Sequence, residues 1–376
     1  MNVIKHAARI IVGLTFIFSG FVKGIDPWGS AYKFSDYFLA LHLDWLLWAS
    51  FPLGVILAFT EFAIGTAFLL NTCMRLFSWL ALLFMAFFTV ITFWIAIENP
   101  VTDCGCFGDA LIISNWETFY KNLILIALTL IVFIYRNRIQ GVPEKKTGFI
   151  LSGVFLTVYA GFVIYSYNHL PVFDFRPYKV GVNIPEAMEI PEDAPADEYE
   201  NIFYYRNKKS GEIKQFTEEN YPWQDTLNWA YHNMESILIK KGYVPPIHDF
   251  TIETPGGENI TEYFLYDDNY VFILVAYDLG KSNPKAQDDI NALANWALDQ
   301  QMSFICLTAT LPKESAGFGE KNHTPYEFFI TDEITLKTII RSNPGLIVLK
   351  NGTIVAKYHY NDIPSPEEFL QNIINK

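Results

Sequence analysis

Five long apolar stretches limit what this chain can fold into more than any other feature of its sequence. A helix needs roughly 20 apolar residues to cross a bilayer core about 30 Å thick. The predicted spans are residues 4–21, 46–70, 77–97, 119–135 and 149–165. The first has the basic start of a signal peptide, but no small-x-small cleavage site follows it, so we expect it to be retained. The composition agrees with membrane insertion, because 51% of the residues are hydrophobic and the mean hydropathy is +0.18.

Charge is distributed unevenly between the two halves of the chain. Residues 1–170 carry 10 basic and 9 acidic side chains, whereas residues 171–376 carry 17 basic and 31 acidic ones. The chain therefore joins a nearly neutral apolar half to an acidic soluble half. Nucleic acid is excluded as a partner, because its phosphates need clustered Lys and Arg to replace their counterions. The lipid bilayer is the expected environment of the apolar half.

The basic residues of the short loops predict how the spans are oriented. They occur at the amino end, after the second span and after the fourth span, as Lys5, Arg9, Arg75, Arg136, Arg138, Lys145 and Lys146. All three positions are cytoplasmic if the amino terminus is cytoplasmic, and five spans then place everything after residue 170 outside. The predicted location is the cytoplasmic (inner) membrane, with the carboxyl-terminal domain in the periplasm.

The acidic half begins with a segment of mixed character, residues 171–242. The run "IPEAMEIPEDAPADEYE" is typical of a linker, "IFYYRNKKSGEIKQF" predicts a hairpin, and "DTLNWAYHNMESILIKKGY" predicts an amphipathic helix. Beyond it, strands are predicted at "DFTIE", "YVFILVAYDL" and "MSFICLTAT", and helices at "AQDDINALANWALDQQ" and "TDEITLKTIIR". The chain ends with the hairpin "GLIVLKNGTIVAKYHY", turning at Asn351-Gly352, and a helix capped by Ser365.

This order, and the run "SNPGLIVLKNGTIVAKY" in particular, resembles a thioredoxin-like domain over residues 243–376. In that fold a proline, usually cis, precedes the strand that enters the last hairpin, and Pro344 is the matching residue here. The chain departs from redox-active members of the fold, which carry Cys-x-x-Cys where this chain reads "GKSNPKAQDD". The domain therefore cannot exchange thiols itself. We expect Cys306, within an apolar strand, to be a buried core residue.

Half of the four cysteines stand in "DCGCFGD", between the third and fourth spans. Two cysteines spaced i and i+2 close only a small ring, and a strained disulfide is easier to reduce, hence more oxidising. Gly105 would supply the backbone freedom that such a ring needs. Asp103 and Asp109 would raise a nearby thiol pKa by charge repulsion and so favour the disulfide. Cys104 and Cys106 are thus the predicted redox pair, in a loop facing outward.

Residues 1–140 resemble the DoxX and MauE group of small four-helix membrane proteins. The matching stretches are "FIFSGFVKGIDP", "TEFAIGTAFLL" and "DCGCFGD". Members of the MauE branch are associated with disulfide formation in exported proteins, so the resemblance implies a periplasmic thiol-disulfide role.

Two alternative roles for the cysteine pair stay open. The disulfide could be a permanent staple, or the two cysteines and two aspartates could bind zinc, although zinc sites usually space their cysteines by two to four residues and add a second pair. Cys73, in the inner turn "NTCMRL", cannot reach this pair across the bilayer and is expected to be a free thiol.

Glu61 lies near the middle of the second span, where a carboxylate costs a few kcal/mol unless it is paired or neutral. Two interpretations stay open. Glu61 is a proton relay or a contact to a ligand such as a quinone head group, or it is protonated and hydrogen bonded to Ser19 or Thr15. For Lys23, at the outer end of the first span, a contact to Asp103, Asp109 or a lipid phosphate is an alternative to snorkelling at the interface.

The sequence therefore predicts an α-helical membrane bundle, with a four-helix DoxX-like core (residues 1–140) and a fifth transmembrane helix (residues 141–170). A mixed extension (residues 171–242) and an α/β thioredoxin-like soluble domain follow. The predicted function is thiol-disulfide exchange with periplasmic partner proteins, the soluble domain serving as a docking module and electrons passing to a second protein or a quinone. The alternatives are a non-enzymatic scaffold for an envelope complex and, more weakly, a small-molecule or ion transporter.

Overall fold

The five predicted spans are helices in the computed structural model, which describes residues 2–101, 103–138 and 145–374. They are α1 (Asn2–Ile25), α3 (Ser50–Leu69), α4 (Met74–Glu98), α5 (Asn115–Tyr135) and α6 (Lys145–Asn168). Within the described residues these are the helices long and apolar enough to cross a membrane. At 1.5 Å per residue, each reaches about 30 Å or more. The predicted boundary between residues 140 and 141 lies outside the described residues.

A further helix, α2 (Pro27–Ala40), follows α1 almost directly. Asp26 caps it by accepting a hydrogen bond from the Gly29 amide at 2.9 Å, and Pro27 occupies its first position. This helix was not predicted from the sequence. A 3₁₀ turn, Asp44–Ala49, then leads into α3.

Close backbone contact between α1 and α3 forms the centre of the bundle. A Cβ atom on Gly65 would lie 2.6 Å from the backbone nitrogen of Ile17. The two helices can therefore approach this closely only because Gly65 has no side chain. α1 also packs against α5, and α5 packs against α4. α6 joins through Tyr159, whose hydroxyl donates to the Gly20 carbonyl at 2.6 Å and whose ring stacks on Phe62.

The carboxyl-terminal region is an α/β domain built on one five-stranded sheet. Its strands are β4 (Tyr270–Val275), β5 (Ser303–Thr308), β6 (Glu327–Ile330), β7 (Gly345–Lys350) and β8 (Thr353–His359). Their order is β6-β5-β4-β7-β8, with β4, β5 and β6 parallel and with β7 antiparallel to both β4 and β8. Its helices are α8 (Thr261–Leu265), α9 (Gln287–Asp299), α10 (Pro312–Asn322), α11 (Glu333–Ile339) and α12 (Pro366–Phe369).

A parallel β-α-β unit followed by an antiparallel hairpin and a helix is the thioredoxin-like arrangement that the sequence predicted. The Asn343-Pro344 bond is cis, as expected for that fold. Asn351 and Gly352 both have positive φ, which suits the predicted hairpin turn. The predicted strand "DFTIE" was wrong, because Glu253 makes isolated bridges only. The structure adds α10 and β6, which were not predicted from the sequence.

Residues 183–250 form a compact unit of their own. It contains α7 (Ile184–Met188) and a sheet of order β2-β1-β3, made of β1 (Glu198–Asn207), β2 (Ile213–Phe216) and β3 (Trp229–Lys240). The predicted hairpin is β1 with β2. The helix predicted over β3 was wrong, because this segment pairs with β1 along its length.

The first part of the predicted linker, up to Val182, packs in the same compact unit as the bundle and the thioredoxin-like domain. Arg176 is buried and binds Asp174, and Lys357 of β8 donates to Asp174 at 2.8 Å. Because charged groups are buried in pairs here, residues 171–182 are part of the folded unit.

Candidate functional site

The cysteine loop, residues 103–114, connects α4 to α5 and makes a tight turn around its two cysteines. Gly105 and Gly108 have positive φ, a conformation open to glycine at little cost. The Gly108 amide donates to the Gly105 carbonyl at 3.1 Å, and the Asp103 carboxylate accepts from the Gly105 amide at 2.8 Å. The loop ends at Ser114, which caps α5 in a capping box with Glu117.

Three helices hold this turn, two of them through its backbone and one through the Cys104 sulfur. The Tyr37 hydroxyl on α2 donates to the Cys104 carbonyl at 2.9 Å. From α1, the Ser19 hydroxyl donates to the Cys106 carbonyl at 2.8 Å, and the Lys23 ammonium donates to the same oxygen. On α5, the Thr118 hydroxyl lies 3.6 Å from the Cys104 sulfur and is hydrogen bonded to it. The pair is thus fixed to the bundle by contacts that do not depend on a disulfide.

The two cysteines are thiols in this structure, and their ionisation differs. The hydrogen bond from the Cys106 thiol lowers the pKa of Cys104, and the Thr118 hydroxyl and the Lys121 charge act in the same direction against burial. The same hydrogen bond, with burial, raises the pKa of Cys106. These shifts favour the thiolate at Cys104 and the protonated form at Cys106, and the thiolate is the form in which a cysteine attacks a disulfide.

Lys23 and Glu61 form a buried ion pair between α1 and α3. The prediction that the Lys23 side chain snorkels at the membrane interface was therefore wrong. The side chains of Lys23 and Glu61 are 6% and 8% exposed, and their charged atoms lie 2.9 Å apart. Lys23 also donates to the Ser19 hydroxyl at 2.7 Å. The expected partners of Glu61, Ser19 or Thr15, were wrong as well, since the Thr15 hydroxyl donates to the Ile11 carbonyl. Because Lys23 also donates a hydrogen bond to the Cys106 carbonyl, it links the Glu61 carboxylate to the cysteine loop.

Asp103 and Asp109 are paired with basic side chains. Asp103 pairs with Lys33 of α2 at 2.7 Å. Asp109 accepts from Arg341 of the thioredoxin-like domain at 3.1 Å, and Arg341 also pairs with Asp26 at 2.9 Å. The expectation that these aspartates raise the thiol pKa is therefore wrong for Cys104, and they attach the loop to its surroundings instead.

Two cavities border the cysteine loop. The bundle cavity, of about 320 Å³, is lined by Phe16, Phe34, Phe84, Phe88, Cys104 and Cys106, with Lys23, Glu61, Lys121 and Asn122 among its polar groups. The outer cleft, of about 270 Å³, lies between α2, the loop and the thioredoxin-like domain and includes Asp26, Lys33, Asp109 and Arg341. Among the described residues lining this cleft, the loop contributes Asp109 and the backbone of Gly105 and Gly108, while both cysteines line the bundle cavity.

The remaining cysteines and the thioredoxin-like site have no exchangeable thiol pair. Cys306 is fully buried in β5, as predicted, and burial raises its pKa. Cys73 is exposed and free, also as predicted. The segment where Cys-x-x-Cys would stand is hydrogen bonded to the loop before Pro344, with the Asn283 amide donating to the Asn343 carbonyl at 2.9 Å. In the described parts of the chain, no group of three or more His, Cys, Asp or Glu side chains is arranged to hold a metal ion.

Sequence reasoning missed several residues that hold the site. Tyr37 and Lys33 come from α2, which is distant in sequence, and Thr118 comes from the helix that follows the loop; no local pattern marks them. Arg341 is only three residues before the predicted Pro344, but its partners lie in the membrane bundle. The capping pattern Asp26-Pro27 is the signal that would have revealed α2 and, with it, one wall of the cavity.

Comparison with known families bears on the apolar part of the chain. The family model described as methylamine utilisation protein MauE matches residues 1–135. These residues are a MauE family domain. The MauE domain contains α1 to α5, the cysteine loop and the buried Lys23–Glu61 pair. The assignment applies to this part of the chain.

The soluble part gives weaker matches. A model described as Domain of unknown function (DUF8463) matches residues 199–241, which cover the sheet of the 183–250 unit. A search of curated proteins finds no match. A solution structure of a proposed protein disulfide isomerase from Bacteroides thetaiotaomicron is similar to 34% of this chain over 82% of its own length, with 15% identity and a TM-score of 0.27. The thioredoxin-like assignment rests on the strand order described above.

Proposed function

We propose that this membrane protein exchanges thiols and disulfides through Cys104 and Cys106. The observation that carries the proposal is a pair of free cysteines in a loop that contacts from α1 and α2 hold in place, with the pKa of Cys104 lowered and that of Cys106 raised. Cys104 would attack a partner disulfide, forming a mixed disulfide and releasing one partner thiolate. Cys106 would then attack Cys104, closing the loop disulfide and releasing the second partner thiol. The reverse sequence oxidises a partner dithiol by two electrons.

The thioredoxin-like domain would dock the partner protein. It contains no thiol pair of its own, but Arg341 places the loop before Pro344 directly beside the cysteine loop. We propose the inner membrane as the location, with the amino terminus in the cytoplasm and both the cysteine loop and the thioredoxin-like domain in the periplasm. The basic loops support this orientation.

The test is the redox equilibrium of the full chain in lipid nanodiscs, with Cys73→Ser and Cys306→Ser removing the other thiols. The loop pair should shift between dithiol and disulfide in glutathione buffers of increasing oxidised fraction. Its potential should lie above the roughly −300 mV below which structural disulfides resist the glutathione pool. A pair that stays oxidised in every buffer would overturn the proposal.

A scaffold role for the loop is the second candidate, and one observation favours it. The Cys106 carbonyl is bound by Ser19 and Lys23, so the loop has anchors independent of its sulfur atoms. In that case a stoichiometric partner would co-purify equally with the native chain and with the Cys104→Ser/Cys106→Ser variant. Under the exchange proposal, Cys106→Ser should trap a partner through a mixed disulfide with Cys104.

A further inference from the structure

The two cysteines are half-buried, and both border the cavity inside the bundle. Both cysteines line the bundle cavity, whereas the outer cleft meets the loop at Asp109 and at the backbone of Gly105 and Gly108. Arg341 holds the thioredoxin-like domain over the outer side of the loop through Asp26 and Asp109. In this arrangement a reactant reaches the sulfur atoms most directly through the cavity.

The wall of the bundle cavity is thin between α3 and α4. α3 packs mainly on α1, and α4 packs mainly on α5, so these two helices contact each other little. Leu57 of α3 and Phe87 and Ile91 of α4 line the cavity at this seam. Phe87 is 61% exposed on the surface that faces lipid. The cavity is therefore bounded at this seam by fewer helix–helix contacts than α3 makes with α1 or α4 makes with α5.

The lining matches a flat apolar ring that carries hydrogen-bond acceptors. Aromatic side chains are more frequent in the walls than aliphatic ones, and Lys121 and Asn122 of α5 add N–H donors, although the Asn122 amide also donates to the Thr92 hydroxyl at 3.1 Å. The Lys121 ammonium lies 4.3 Å from the centre of the Phe107 ring, which places its charge at the loop end of the cavity. Small-molecule sites typically combine an apolar volume of about 300–1,000 Å³ with a few such polar groups.

We infer that the bundle cavity binds a lipid-soluble quinone, which oxidises Cys104 and Cys106 from the membrane side. This inference rests on the proposed exchange function and names its electron acceptor. The Cys104 thiolate and the Cys106 thiol lose two electrons and one proton as their disulfide forms. The quinone ring gains those two electrons and becomes a quinol, taking one proton from Cys106 and a second from water.

The two sides of the loop would then receive different reactants. The quinone regenerates the disulfide from the lipid side, and a partner dithiol is oxidised from the aqueous side, where the thioredoxin-like domain lies. Lys121 and Asn122 are positioning residues in this scheme, because they would hold the ring oxygens while the sulfur atoms transfer the electrons.

The test uses the full chain with Cys73→Ser and Cys306→Ser, reduced and placed in lipid nanodiscs without oxygen. Ubiquinone-1 is added, and quinol formation is followed together with the loss of alkylatable thiol. We expect one quinol for each disulfide formed. Ile91→Trp fills the cavity at the seam and should slow the reaction about tenfold or more. Val90→Trp is the matched control, because Val90 is the neighbouring residue on α4 and faces lipid at 70% exposure.

A water-soluble oxidant separates failure of the inference from failure of the proposed function. If diamide oxidises the pair but ubiquinone-1 reacts no faster than with the Cys104→Ser/Cys106→Ser chain, the quinone site is wrong and the exchange function stands. If Ile91→Trp and Val90→Trp slow quinol formation equally, entry through the cavity is wrong. If neither oxidant changes the pair, both the inference and the exchange function are wrong.

Discussion

Replacement of Lys23 by methionine tests whether the charge network under the cysteine loop is as buried as the structure shows. Lys→Met keeps most of the side-chain volume but removes the partner of Glu61, whose side chain is only 8% exposed. Loss of one member of a buried pair typically costs about 3–5 kcal/mol, because the other charge stays behind without compensation. We expect Lys23→Met to destabilise the bundle by that amount.

The double variant Lys23→Met/Glu61→Leu should recover most of this loss. It leaves no uncompensated charge, but the Ser19 hydroxyl and the Cys106 carbonyl still lose the Lys23 ammonium. Each lost hydrogen bond is worth about 1 kcal/mol, so a deficit of about 1–2 kcal/mol should remain. Equilibrium unfolding in mixed micelles, followed by circular dichroism, measures all three free energies.

Lys33→Met supplies the matched comparison. Lys33 pairs with Asp103 in the cysteine loop, but the two side chains are 29% and 20% exposed, so we expect a loss of about 0–1 kcal/mol. The reasoning is refuted if Lys23→Met costs no more than Lys33→Met, or if the double variant is less stable than Lys23→Met alone.

Three further variants examine other parts of the molecule. Thr118→Val removes a hydrogen bond that lowers the pKa of Cys104. The pH dependence of the rate at which Cys104 is alkylated should therefore shift to higher pH. Arg341→Gln should increase amide hydrogen exchange in α2 and the cysteine loop while leaving β4 protected, because it breaks the ion pairs to Asp26 and Asp109. Gly65→Ala should destabilise the bundle by about 1–3 kcal/mol in an unfolding titration, since the new methyl group meets the backbone of α1.

Two substitutions serve as controls for these variants. Thr129→Val changes a buried threonine on α5 outside the bundle cavity and should leave the alkylation profile of Cys104 unchanged. Gly161→Ala places a methyl group where no atom lies within 4 Å, and its stability should stay within about 0.5 kcal/mol of the native chain. If Gly161→Ala and Gly65→Ala change the stability equally, the close contact between α1 and α3 does not explain the effect of Gly65→Ala.

The elements whose conformation follows from their own residues were predictable from the sequence. The five spans follow from hydropathy alone, and the hairpin turn at Asn351-Gly352 follows from the need for positive φ at both residues. The segment of β3 shows the limit of such reasoning. Its apolar spacing also fits a helix, but pairing with β1 decides its conformation, and that pairing is not visible in the segment itself.

The candidate site was predictable only in part for a similar reason. Cys104 and Cys106 stand out by composition, and Glu61 stands out because a carboxylate in a span is costly. The Lys23–Glu61 pair depends on how α1 and α3 are aligned, which neither helix encodes alone. The contact of Arg341 with the cysteine loop depends on docking between parts of the chain more than 200 residues apart in sequence.

The central claim is that Cys104 and Cys106 turn over between dithiol and disulfide. Its most direct test is the redox state of the pair in native membranes, trapped with acid and read by alkylation shift with and without added dithiol reductant. We expect both forms to be present and their ratio to follow the reductant supply. A pair that never changes state, while exposed Cys73 is alkylated in the same sample, would contradict this claim and leave the loop a structural staple.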